Sequence, residues 1–80
     1  YNRVVPDGEA QEAATELADN LALGPSLALQ ITKDALNREA RMDFVSALEA
    51  EAQIQAALMV HPDFREAYDA FTEKRNPDFL

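Results

Sequence analysis

Eighty residues suffice for one small domain, and a chain of this length buries only about 60% of the surface that its unfolded form exposes. Fifteen acids against seven Lys and Arg give a net charge of −8, which repels phosphate backbones and anionic bilayers, so no nucleic acid and no membrane partner is expected. The lack of cysteine removes disulfides, thiolate metal sites and thiol nucleophiles, and leaves contact with a partner as the support for a thin core.

The chain opens with Tyr1-Asn2-Arg3-Val4-Val5-Pro6, β-prone residues that read as the end of a core strand, and Pro6-Asp7-Gly8 then signals a turn. No second strand candidate follows, so residues 1–8 are expected to be a short extended leader cut from a larger fold. Asp7 is placed to cap a first helix over about Glu9 to Leu23, with Glu9 and Glu12 at its positive end. Ala10, Ala13, Ala14, Leu17, Ala18 and Leu21 form its apolar stripe, while Glu12 and Glu16 share a face that reads as solvated surface. Gly24-Pro25 ends this helix and opens the next.

A second helix is expected over about Pro25 to Ala40, with Leu27, Ala28, Ile31, Ala35 and Leu36 on one side. Asp43 is positioned to cap a third, Phe44 to Val60, which carries two stripes. Val45, Leu48, Ala52 and Met59 form one; Phe44, Ala47, Ile54 and Leu58 form the other. A helix apolar on two sides is sandwiched between layers, and this chain is too short to cover both. His61-Pro62 starts a last helix, about Pro62 to Lys74, with Asp63 and Glu66 near its beginning. Phe64, Tyr68 and Phe71 fall at i, i+4 and i+7 as an aromatic ridge, which reads first as core packing. Lys74 and Arg75 finish the helix where cations suit its negative end, and Asn76-Pro77 stops it. The fold class is therefore all-α, with about four helices over residues 9–80.

Few residues offer chemistry. His61, the sole histidine, has no His or Cys partner at i+4 and reads as an exposed helix-start residue, so no metal site is expected. Ser26 sits in a first turn and Ser46 in mid-helix, neither in a nucleophile elbow. Glu49 and Glu51 point in different directions on their helix, and two glycines cannot build a phosphate loop. No catalytic residue is expected. An aromatic ridge beside Lys74-Arg75 has a second reading, a nucleotide held by stacking and phosphate pairing. No apolar run approaches the ~20 residues of a membrane span and no leader peptide is visible, which favours a cytoplasmic setting.

Several segments together resemble the C-terminal part of the enoyl-CoA hydratase/isomerase (crotonase) family. Asn2-Arg3-Val4-Val5-Pro6 resembles the "NRVVP" that ends the family's last core strand. Gly24-Pro25, Leu29 and Thr32-Lys33-Asp34-Ala35-Leu36 resemble its "P-x-A-x-x-x-T-K-x-A-L" helix, and Glu49 and Glu51 fall in its "A-L-x-x-E" stretch. Asp63-x-x-Glu66 and Ala70-Phe71-Thr72-Glu73-Lys74-Arg75-Asn76-Pro77-Asp78-Phe79 are similar to its "D-x-x-E-G-x-x-A-F-x-E-K-R-x-P-x-F". The family's Gly after that Glu is Ala67 here.

The resemblance implies a helical trimerisation segment over residues 9–80, self-associating as a trimer or hexamer. It places the oxyanion-binding N–H groups and catalytic carboxylates of this acyl-CoA and fatty-acid chemistry upstream. It also implies that Phe71 and Lys74 are cofactor-binding residues, near the adenine and phosphates of the CoA thioester held by a neighbouring subunit; the isolated chain is expected to hold no cofactor. The alternative is a small acidic carrier resembling an acyl carrier protein. That class needs an Asp-Ser-Leu motif opening its second helix, where this chain has Gly24-Pro25-Ser26-Leu27. An independent small enzyme has no constellation in its favour.

Overall fold

The computed structural model describes all 80 residues and contains four helices: α1 (Ala10–Ala22), α2 (Ser26–Glu39), α3 (Phe44–Met59) and α4 (Pro62–Glu73). No strand forms; Tyr1 to Pro6 run as irregular chain with nothing to pair against. Gly8 makes the turn into α1 at φ +85, a conformation that a Cβ would strain.

Capping follows the sequence in part. Asp43 accepts the Ser46 N–H at 2.8 Å and the Ser46 hydroxyl at 3.1 Å, so α3 begins where expected. Ser46 therefore lies in the first turn rather than in mid-helix. Asp7 does not cap α1. The cap position is Glu9, already in helical geometry and without a side-chain bond, because the turn at Gly8 brings Glu9 N–H onto Pro6 O at 3.1 Å. Gly24 ends α1 by permitting close approach, since a Cβ there would stand 3.0 Å from Leu29 Cδ1 and 3.2 Å from Leu21 O.

The helices are splayed. The radius of gyration is 16.0 Å, against about 12 Å for a compact 80-residue domain. The molecule is only 17 Å thick in its thinnest direction, little more than one helix with its side chains. α2 packs on α3 and α3 on α4, while α1 packs substantially against none of the others. Only Ala35 and Ala70 are buried.

The third helix behaves as its two stripes predict. Ala47, Ile54 and Leu58 are half-buried on the side facing α2 and α4, whereas Val45, Leu48 and Met59 on the other side stay exposed. Phe44, grouped with the first set by spacing, is exposed because it sits at the helix start beyond the packed zone. On α2 the inner residues are Ala28, Ile31 and Ala35, and Leu36 is outside. On α1, Leu17 and Leu21 of the expected stripe are exposed. The accessible surface is 7084 Å², whereas a folded monomer of 8.9 kDa has roughly 4,800 Å². The excess is on the order of 2,000 Å², the area of a large protein–protein interface.

Candidate functional site

The C-terminal end of α4 gathers the residues singled out by spacing. Pro62 opens the helix, and His61 caps it by accepting the Asp63 N–H on Nδ1 at 3.1 Å. That duty draws the imidazole partly inward, so His61 is half-buried rather than exposed. Nδ1 as acceptor leaves the proton of the neutral ring on Nε2.

The aromatic ridge does not pack as core. Phe64 is 46% exposed, Tyr68 56% and Phe71 83%, and of the three only Phe64 borders a small apolar cleft, shared with Pro25, Ala28 and Leu58. Ala70 is the α4 residue that is buried, at 1%. Ala67, standing where the resembling family has Gly, is exposed and helical, so its methyl group meets no crowding here.

Lys74 ends α4 in the left-handed region at φ 56, ψ 42, with Arg75 N–H reaching back to Ala70 O at 3.0 Å. A non-glycine residue held there costs about 1–2 kcal/mol of backbone strain. The strain is offset by a clasp. Arg75 donates to Glu66 through both terminal nitrogens and to Glu73 through Nε at 2.6 Å. Asp78 N–H donates to the same Glu66 oxygen at 3.1 Å. The Arg75 guanidinium, and next the Asp78 N–H, hold the Glu66 carboxyl below the usual glutamate range. Glu66 and then Glu73 push Arg75 further up, so it is charged at every pH of interest. The tail therefore doubles back. Arg75, expected beside Lys74 as a free helix-end cation, is consumed inside the clasp, and none of the chain's ion pairs includes Lys74.

The other candidates stay apart. Ser26 is the exposed first residue of α2 behind Pro25, and the Ser46 hydroxyl is committed to Asp43. Glu12 and Glu16 line a shallow all-polar surface of α1 with Gln11, Thr15 and Asp19. No three His, Asp or Glu side chains converge as a metal ion would require. No helix is long and apolar enough to cross a membrane.

The fold is thus a thin helical layer with much of its apolar side-chain surface facing outward. Residues 1–80 match the enoyl-CoA hydratase/isomerase family profile along their whole length, and the chain belongs to that family. It is similar to an enoyl-CoA hydratase of Mycobacterium tuberculosis, 36% identical over 95% of this chain and 29% of that protein. A 2,3-dehydroadipyl-CoA hydratase of Escherichia coli is also 36% identical, over 95% of this chain and 30% of that one. A solved Streptomyces coelicolor A3(2) structure, described as an enoyl-CoA hydratase, superposes with a TM-score of 0.93 at 43% identity, over 99% of this chain and 29% of that one. The chain thus spans less than a third of the length of these relatives.

Proposed function

We propose that this chain is the helical C-terminal segment of an enoyl-CoA hydratase/isomerase family enzyme, supplying contact between copies and one wall of an acyl-CoA site rather than catalytic groups. The observation that carries the reading is the unspent apolar surface: Val45, Leu48 and Met59 on α3, and Leu17 and Leu21 on α1, all stand exposed. Area of that kind is stable in water only when another surface covers it. Within the assembly, a trimer or a pair of trimers, Phe71 stacks on the adenine of CoA and Lys74 pairs with its phosphates. The exposure of the one and the unpaired charge of the other support those roles. Oxyanion stabilisation and proton transfer on the CoA thioester, in fatty-acid or related acyl-CoA metabolism, are then the work of residues outside this segment.

Sedimentation equilibrium on the purified 80-residue protein tests the assembly role. Oligomers at micromolar concentration are expected, and a monomer with a cooperative melt would overturn it. Added CoA should shift the Phe71 ring resonances of the assembled protein, and Lys74→Ala should weaken that shift.

A further inference from the structure

The turn that leads into α1 sets two reactive groups side by side and holds neither. Asp7 and Gly8 are its central residues, and its bond runs from Glu9 N–H to Pro6 O at 3.1 Å. That bond leaves the Gly8 N–H unused, and no other oxygen of the chain accepts it. Because Asp7 does not cap α1, its carboxyl enters no hydrogen bond and no ion pair. Both residues are exposed, and a Cβ added at Gly8 would meet nothing within 4 Å. The Gly8 nitrogen and the Asp7 side chain therefore stand open to each other and to water.

Elsewhere along the chain the same pairing is blocked. Asp19, Asp34 and Asp69 lie inside helices, where the hydrogen-bond ladder holds the following N–H. The Phe64 N–H after Asp63 donates to His61 O at 3.1 Å, and the Asp43 carboxyl is spent on Ser46. The Asp78 carboxyl accepts the Leu80 N–H at 3.1 Å, and Pro77 after Asn76 has no N–H to offer.

We propose that Asp7-Gly8 is a site of spontaneous isoaspartate formation, and that the altered turn is a substrate for a carboxyl methyltransferase selective for isoaspartyl residues. The Gly8 nitrogen attacks Asp7 Cγ. A Cγ–O bond breaks, and that oxygen leaves as water with the N–H proton, closing a succinimide. Water then adds to the imide carbonyl that belonged to the Asp7 main chain, and the bond from that carbon to the Gly8 nitrogen breaks. The chain now runs through the Asp7 side chain, and the former main-chain carbonyl is a free carboxylate. The water lost is regained, so no oxidant, reductant or cofactor takes part.

The rearranged backbone is longer by a methylene between Pro6 and Glu9, which breaks the register of their 3.1 Å bond. The disturbance stays at the start of α1, because that helix packs substantially against none of the others. The site does not rest on the assembly role.

The test ages the 80-residue protein at neutral pH and body temperature, then supplies the methyltransferase with labelled S-adenosylmethionine as the probe. Methyl acceptance should grow with ageing time and map to residue 7 in peptide digests, with no change of mass before methylation. Asp7→Glu, whose longer side chain closes a less favourable ring, should lose the signal while circular dichroism shows the same helical content. A peptide spanning Val4 to Ala10 is the unfolded reference, and the folded protein should age as fast as it does. In the isomerised protein the Glu9 amide should lose its protection from hydrogen exchange, and amides of α2 to α4 should keep theirs. Aged wild type that accepts no methyl group, acceptance undiminished in Asp7→Glu, or a folded protein that ages more slowly than the peptide would each overturn the site.

Discussion

Arg75 stands nine positions beyond Glu66, yet its guanidinium and the Asp78 N–H close on that single carboxylate. The clasp turns the end of the chain back along α4 and fixes Lys74 in its left-handed turn. Glu66→Ala should therefore release Asn76 to Leu80 as a unit. The Asp78 amide should lose most of its protection from hydrogen exchange, and Lys74 should leave the left-handed region, read from its backbone coupling constant. Glu66→Gln, which can still accept from both donors, should do less. Because the Glu66 carboxyl is lowered from 4.5 in the folded chain, the clasp is complete above that value and is lost as pH falls through the lowered one. Asp78 protection should follow the same window.

Asp43 should show acid sensitivity of the same sign. The Ser46 N–H, then its hydroxyl, lower Asp43 from 3.8, so the α3 cap holds above that value and fails as pH falls through the lowered one. Asp43→Asn preserves an acceptor and removes the titration, so its α3 helicity should be flatter at acid pH than that of the wild type. Asp43→Ala should fray the first turn of α3 at every pH, visible as faster exchange at Ser46. A wild-type exchange rate at Ser46 in Asp43→Ala would show that tertiary contacts, not the cap, hold the helix start.

Much of this was legible in the sequence, because the signals were local. Gly24-Pro25, Asp43 and His61-Pro62 mark the helix ends within a residue or two, since capping and φ restriction depend only on neighbours in the chain. The two stripes of α3 announced an uncovered face in the same way. What escaped depends on distance along the chain. Glu66 and Arg75 lie on one helix and its tail, and their closure follows from the left-handed turn at Lys74, for which a lysine gives no sign. The aromatic ridge illustrates the opposite error. Phe64, Tyr68 and Phe71 have core spacing, but whether a core exists opposite them depends on what packs against α4 and not on their period.

Ala70 offers a test of how tightly the small packed zone is built. At 1% exposure it is the most enclosed residue of the chain. Ala70→Leu adds three carbons where no space exists, and overpacking of this kind costs about 1–3 kcal/mol. In so marginal a fold that loss should lower the helical signal of the whole protein, measured by urea titration of circular dichroism. Ala18→Leu on exposed α1 makes the same exchange and should change stability by less than about 0.5 kcal/mol.

The outer face of α3 decides whether assembly runs through it. Val45, Leu48 and Met59 are 62%, 59% and 49% exposed, so a polar residue at Leu48 can keep its charged end in water. Leu48→Glu should leave monomer helicity within about 0.5 kcal/mol of wild type in stability. In a contact between copies the same substitution buries a carboxylate in an apolar surface, once per subunit, on chains that already carry −8 each. Association should weaken at least about tenfold, equivalent to about 1.4 kcal/mol, in sedimentation equilibrium. Thr15→Glu adds the same charge to the polar face of α1 and controls for simple repulsion. If both variants weaken association equally, net charge rather than this face governs it; if Leu48→Glu alone does so, the α3 stripe of Val45, Leu48 and Met59 is the contact surface.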